Sequence, residues 1–348
     1  MDRDMPPQVT YWTGVWEPGR EALSNEVQVL RELHGRRAPV VSFSSGQRST
    51  VSLRDRVIRL SSTRWAMLRA VAAAIEPRGA VTHVFGAIDE WHLLRAVGRR
   101  PVVFTVALPG GAIDPALSRK VSVFAAETEP LADALVRAGV PAHQVTVVYP
   151  GVDLQRYSPT PPPSSDRFRI LFASSPADPR EFSRRGIPLL VDLARLRPEL
   201  DVVLLWRAWG DQAAAIQALA ALAPPHNLIL ESRAGRSMPD VYRSAHATIS
   251  CYEEGFGKSC PNSIVESAAC GRPVLVSSTC GVAGLVEQAG AGVVFPRTIG
   301  AAASAVDVLR HEYARYAERA RTLATRRFDV DAFRSSYSEV YARLGGAA

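Results

Sequence analysis

The sequence predicts an α/β protein of two doubly wound, Rossmann-like domains, and three observations predict it. Strand-like apolar runs alternate with helical patterns along the whole chain, the pattern of parallel sheets covered by helices. The 348 residues exceed the usual size of one core, so two are expected. A proline-rich stretch at 159–166, PTPPPSSD, cannot hold regular structure and reads as the linker between two strand–helix series. The expected domains are therefore residues 1–160 and 167–325. A closing segment, 326–348, carries a helix that is free to pack back across the boundary.

In the first series, strands are expected at Gln8–Thr13, Pro39–Phe43, Val57–Leu60, Val81–Phe85, Val102–Val106, Val121–Ala125 and Gln144–Val148. Helical spacing falls between them at Ser24–Leu33, Thr63–Ile75 and Pro130–Ala138. The second series begins with Arg169–Ala173 and Val202–Trp206 and continues through Leu228–Glu231 and Ala247–Cys251. It ends with Val274–Ser277 and Gly292–Phe295, and the last helix is expected near Asp331–Leu344.

Composition excludes several classes. Hydrophobic residues at 47% and charged residues at 22% match an ordinary soluble protein. No apolar run is long enough to span a bilayer, and the start, MDRDMPPQ, lacks a signal-peptide core, so a cytoplasmic location is expected. The four cysteines (Cys251, Cys260, Cys270, Cys280) stand too far apart for a zinc or redox motif and read as buried, reduced thiols. The net charge of +7 comes without any nucleic-acid-binding signature. Its densest piece, Arg54 to Arg69, reads as a solvated face, with an anionic membrane surface as the alternative partner. Asp2-Arg3-Asp4 and Asp329-Val330-Asp331 imitate a metal motif but fit a loose tail and a helix start. No Gly-x-Ser-x-Gly, Walker or His-Glu-x-x-His motif is present.

The most informative stretch is Tyr252 to Phe295. An acidic, glycine-rich loop with Glu254 and Gly257 leads through Lys258 into a helix opened by Asn262, Ser263 and Ile264. Backbone N–H groups at such a helix start form an anion site. Glu266, one turn inside, is placed to accept from a ribose diol. Together these features read as a pocket for a nucleoside diphosphate.

Six segments carry a family resemblance. They are Gly139-Val140-Pro141; Tyr149-Pro150-Gly151-Val152-Asp153 with Tyr157-Ser158-Pro159; Arg185-Gly186-Ile187-Pro188; Glu254-Gly255-Phe256-Gly257; Glu266 through Val274; and Arg327-Phe328 through Tyr341. In that order the chain resembles the retaining GT-B glycosyltransferases that include glycogen synthases, sucrose synthases and cell-envelope mannosyltransferases. The resemblance implies two domains across a cleft, a nucleotide-sugar donor and no required metal.

Carried over residue by residue, the resemblance gives Glu266 the ribose hydroxyls, and Asn262, Ser263 and Ile264 the diphosphate. Asn262 or Ser263 could also cap the helix. Arg185, with Arg184 as the alternative, neutralises the leaving diphosphate. The family's second arginine is replaced by Ser174 and Ser175, and Lys258 is the candidate to supply that charge. Glu254 and Glu266 stand farther apart than the family's paired glutamates, so either Glu254 or Lys258 meets the donor sugar. Gly14, in Thr13-Gly14-Val15-Trp16, is expected under donor and acceptor, and Gly235 to Pro239, with Met238, beside the base. A family histidine is Ala107 here; His83 is its candidate substitute, and Thr128 a candidate cleft residue.

The expected function is sugar transfer from a nucleoside-diphosphate sugar to an acceptor hydroxyl or amine with retention. Saccharide, lipid-linked and natural-product acceptors stay open. The alternatives are a degenerate nucleotide-sugar-binding protein and a GT-B nucleotide-sugar epimerase.

Overall fold

The computed structural model describes residues 8–35, 38–76, 80–87, 91–97, 101–110, 112–174, 178–206, 212–232 and 235–345. Ser175 and Asp2-Arg3-Asp4 lie outside them. The chain forms two compact units, residues 1–151 with 330–348, and residues 152–329. The first unit begins with β1 (Val9–Thr13), β2 (Val40–Ser44), β3 (Thr50–Ser52), β4 (Val57–Ser61) and β5 (Val81–Ala87). It continues with β6 (Val102–Leu108), β7 (Val123–Ala126) and β8 (Val145–Val147). Its helices are α1 (Ala22–Glu32), α2 (Trp65–Ile75), α3 (Trp91–Ala96), α4 (Pro115–Ser118) and α5 (Glu129–Arg137).

The second unit has β9 (Phe168–Phe172), β10 (Leu200–Trp206), β11 (Leu228–Ser232), β12 (Ala247–Ser250), β13 (Val274–Ser277) and β14 (Gly292–Phe295). Among its helices are α6 (Phe182–Arg185), α7 (Ile187–Leu196), α8 (Gln212–Ala221) and α9 (Met238–Arg243). They are followed by α10 (Asn262–Ala269), α11 (Ala283–Ala289), α12 (Ile299–His311) and α13 (Tyr313–Arg327). The closing helix, α14 (Val330–Gly345), belongs to the first unit.

The first sheet runs β3-β4-β2-β1-β5-β6-β7-β8, parallel except for β3. Successive strand residues face opposite sides. Tyr11, Val40, Val81 and Phe85 therefore join a core with α1 and α14, while Trp12, Val41, Val84 and Phe104 join a second core with α2 and α5. β3 is the strand that periodicity does not announce, since Thr-Val-Ser is short, polar and largely exposed. It forms because a turn at residues 53–56, with Arg56 in the left-handed region, folds it back on β4.

Phe333, Tyr337, Val340 and Tyr341 of α14 are buried against the first sheet. The Tyr337 hydroxyl meets Thr105 Oγ1 at 2.7 Å. The helix starts at Val330, one residue before the start expected at Asp331, and the first two residues of the expected 326–348 segment belong to α13, which runs to Arg327.

The proline stretch 159–166 lies within the second unit, and the division falls earlier, between Gly151 and Val152. Its carbonyls explain why. Buried Arg272 donates to Thr160 O and Pro161 O, each at 2.8 Å, and just before the stretch Arg243 donates to Ser158 O at 3.1 Å. His246 Nδ1 accepts from the Arg169 N–H, which leaves Nε2–H to donate to Pro163 O at 3.2 Å. A segment with no internal hydrogen bonds is thereby held as a strap on one unit. All four cysteines are buried and free; burial pushes the Cys251 and Cys270 thiols up to about 12 and Cys280 to about 11.

Candidate functional site

The second sheet runs β11-β10-β9-β12-β13-β14, so the direction of winding reverses between β9 and β12. Connections leaving the carboxyl ends of these neighbouring strands diverge and open a crevice, where open α/β sheets take their ligands. Ser174, Arg184 and Arg185 follow β9, and residues 251–262 follow β12. Arg184, Arg185, Glu254, Gly257, Lys258 and Asn262 thus stand on the two connections that flank one topological switch point.

Tight local packing holds the two connections together. Gly186 ends α6 at φ +82°, and a Cβ there would lie 2.5 Å from Cys251 Sγ and 2.6 Å from Cys251 O. Only glycine combines that left-handed backbone with so close an approach. The neighbouring cations are positioned as a result. The Arg185 guanidinium donates to Ser174 Oγ at 2.7 Å and pairs with Glu181 at 2.7 Å. Arg184 lies 4.2 Å and Arg185 5.4 Å from the Phe256 ring centroid. Arg184 also pairs with Glu253 at 3.4 Å.

The β12–α10 loop is fixed from below. Tyr252 O accepts from Ser277 Oγ at 3.2 Å and Thr279 Oγ1 at 2.6 Å, both just past β13 or at its end. Arg297 Nε donates to Cys251 O at 2.9 Å. Gly257, at φ +75°, passes against the Tyr252 ring, with a hypothetical Cβ 3.1 Å away. Glu254 sits exposed in the turn, whereas Lys258 is drawn in. Its Nζ donates to Asn262 Oδ1 at 2.8 Å and Cys260 O at 3.3 Å.

α10 begins without a side-chain cap, since Pro261 holds the cap position and Asn262 spends its oxygen on Lys258. The capping role foreseen for Asn262 or Ser263 is therefore not taken up. Nor does the Ile264 N–H point outward, because it donates to Pro261 O at 2.9 Å. Asn262 and Ser263, the first two helical residues, carry the N–H groups that precede the helical ladder. Glu266 is half-buried one turn on and accepts from the Tyr157 hydroxyl at 3.0 Å. Tyr157 is held by Arg321, whose Nη1 donates to Tyr157 O at 3.1 Å and Ala269 O at 2.6 Å. Burial and the Glu266 carboxylate both push the Tyr157 phenol up, so it stays a donor.

Three candidates fall elsewhere. His83 is fully buried in β5, with Nδ1 on the Tyr341 hydroxyl and Nε2 on Thr105 Oγ1, each at 2.6 Å. Burial pushes its pKa well down, and both nitrogens are engaged, so it is a packed core histidine rather than a replacement for the one missing at Ala107. Thr128 is buried and caps α5, accepting from Leu131 N at 3.4 Å. Met238 is the buried first residue of α9, because Ser237 caps a helix where an open loop was expected. Gly14 stays in the bend after β1, at the carboxyl end of the first sheet. Tyr157 and Arg321 escaped sequence reasoning as site residues. Each lies far along the chain from Glu266, and only the Tyr157-Ser158-Pro159 segment had been singled out.

These features define a GT-B fold, with the candidate donor residues at the switch point of its second unit. Residues 169–311 match the profile of the family described as Glycosyl transferases group 1. A glycosyltransferase from Rickettsia africae has a similar solved structure, with 13% identity and TM-score 0.73, covering 97% of this chain and 98% of that one. The HepE protein of Anabaena, solved with UDP and glucose, shares 18% identity at TM-score 0.73, over 97% of this chain and 100% of its own. Sucrose-phosphate synthase from Thermosynechococcus elongatus shares 17% identity at TM-score 0.75, over 98% and 100%. No curated protein sequence matches the chain.

Proposed function

We propose that the protein is a glycosyltransferase that moves a sugar from a nucleoside diphosphate to an acceptor hydroxyl or amine, with retention of anomeric configuration. One observation carries the reading. Lys258 lies against the uncapped amino end of α10, where the helix dipole is already positive. A lysine beside the first N–H groups of a helix offers positive charge and hydrogen-bond donors together, the combination that a diphosphate takes. The match of residues 169–311 to glycosyl transferases supports the same reading, as does the fold shared with a protein solved with UDP and glucose.

In this reading the diphosphate sits on the Asn262 and Ser263 N–H groups, with Lys258 and Arg185 beside it, and Glu266 accepts from the ribose hydroxyls. The bond from the sugar's anomeric carbon to the diphosphate oxygen breaks, and the bond to the acceptor oxygen or nitrogen forms on the same face. The acceptor's proton passes to the departing phosphate oxygen. Charge grows on that oxygen as the sugar leaves, and fixed cations stabilise it more than they stabilise the ground state. Lys258 and Arg185 fill this role without a metal, so activity should survive EDTA. Arg185 is the firmer of the two arginines because Ser174 and Glu181 fix it, whereas Arg184 is half exposed.

A thermal-shift screen with UDP, GDP, ADP, CMP and dTDP on wild type and Glu266→Ala tests the site. One nucleotide should stabilise wild type and lose roughly 10- to 100-fold in affinity in the variant, the worth of one hydrogen bond to a charged group. Equal shifts in both proteins, or none with any nucleotide, would sink the donor pocket. With the responding nucleotide's sugars as donors, Arg185→Ala should lower kcat by roughly 100-fold or more.

A further inference from the structure

We infer that the β3–β4 edge of the first unit and the outer face of α2 form a docking surface for an anionic lipid bilayer. Charge is the first support. Residues 45–75 hold six arginines (Arg48, Arg54, Arg56, Arg59, Arg64, Arg69) against one acid, a net of +5 in a chain of +7. Residues 1–160 hold 19 basic and 15 acidic side chains, so the rest of that half is slightly acidic and the excess is local. The single acid, Asp55, is tied back on its own turn, accepting from Ser52 Oγ at 2.7 Å.

Exposed apolar surface is the second support. Leu53 is 86% exposed at the tip of the turn, Val51 63% and Met67 45%. The outward residues of α2 are Ala66, Met67, Arg69, Ala70, Ala73 and Ala74. A helix facing water is ordinarily polar on that side, and here Arg69 is the one polar group on it. Register joins the two elements. Val51 lies opposite Ile58, and Ile58 packs into the core that Leu68 and Ala72 of α2 cover. Directly opposed residues share a face, so Val51 lies on the sheet face that α2 covers.

Five of the six arginines (Arg48, Arg54, Arg56, Arg64, Arg69) are exposed, and Arg59 turns to the other face and donates to Trp16 O. Exposed aliphatic and basic side chains together match a bilayer interface, which takes apolar side chains below its anionic headgroups and long basic chains at their level. A nucleic acid would use the charge and leave Leu53 and Met67 without a role. A second copy pairing along β3 by two-fold symmetry would set arginine against arginine.

The test is flotation of the full chain with vesicles of phosphatidylcholine alone and of equimolar phosphatidylcholine and phosphatidylglycerol. Binding is expected only to the second, weakening with salt. Arg54→Gln with Arg69→Gln should lower partitioning by about 25-fold, at about 5-fold per arginine. Leu53→Glu with Met67→Glu, both surface positions, should abolish it while circular dichroism and Tm stay unchanged. No vesicle binding, or binding that both double variants retain, overturns the proposal. So does tight, variant-sensitive binding to a duplex DNA in its place, or a dimer that Leu53→Glu disperses without any vesicle binding. None of these readings depends on the donor site, which the nucleotide screen tests separately.

Discussion

Lys258 and Tyr157 show how single side chains prepare the site. Lys258 brings a charge to α10 through Asn262, and Tyr157 fixes the carboxylate of Glu266 from a strap whose backbone Arg321 and Arg243 hold. A hydroxyl aimed at a carboxylate limits its rotamers before any ligand arrives, which lowers the ordering cost of binding. Tyr157→Phe keeps the ring and removes that one bond, worth roughly 1.5–3 kcal/mol when the acceptor is charged. On the proposed function, it should raise the donor KM about 10-fold and leave kcat within about 2-fold. A fall in kcat at unchanged KM would show that Glu266 is not the group it positions. The sequence singles out Glu266 as a candidate because helix position and neighbouring residues mark it. Tyr157 was not, since its bond spans 109 residues.

At the scale of elements, the β9 and β12 connections meet through Gly186. A side chain there would face both a left-handed backbone and contact with Cys251. Gly186→Ala should therefore cost about 2–4 kcal/mol. Thermal unfolding would show it as a lower Tm, and nucleotide affinity should fall with it as Arg184 and Arg185 shift. An unchanged Tm would mean that the backbone relaxes without strain. The strands of both sheets were legible because buried parallel strands are near-continuous apolar runs. β3 was not, because an edge strand of Thr-Val-Ser owes its state to its partner β4.

For the whole molecule, the consequential feature is that the chain enters the second unit at Val152 and returns to the first at Val330. α14 buries Phe333, Tyr337, Val340 and Tyr341 in the first unit's core. At about 1.5–3 kcal/mol per large side chain, these four approach the entire net stability of a typical domain. Truncation after Asp329 should therefore unfold the first unit while the second keeps its nucleotide-induced thermal shift. A truncated protein with both transitions intact would show that α14 is dispensable to folding. His83 belongs to this scale too, since its ring nitrogen bonds Tyr341, 258 residues away.

The sequence by itself determined the α/β class, the two series of strands, and the loop, helix and carboxylate of the second unit. Each is a local pattern of spacing, and local spacing sets which face of a helix or strand is apolar. Tertiary structure alone decided which polar groups meet. It sent His83 into the core, put Thr128 and Ser237 to capping, withdrew the Ile264 N–H, brought Tyr157 to Glu266 and bound the proline stretch to the second unit. Those outcomes depend on partners distant in sequence. A hydrogen bond needs its donor and acceptor about 3 Å apart, a condition that only the folded chain can meet.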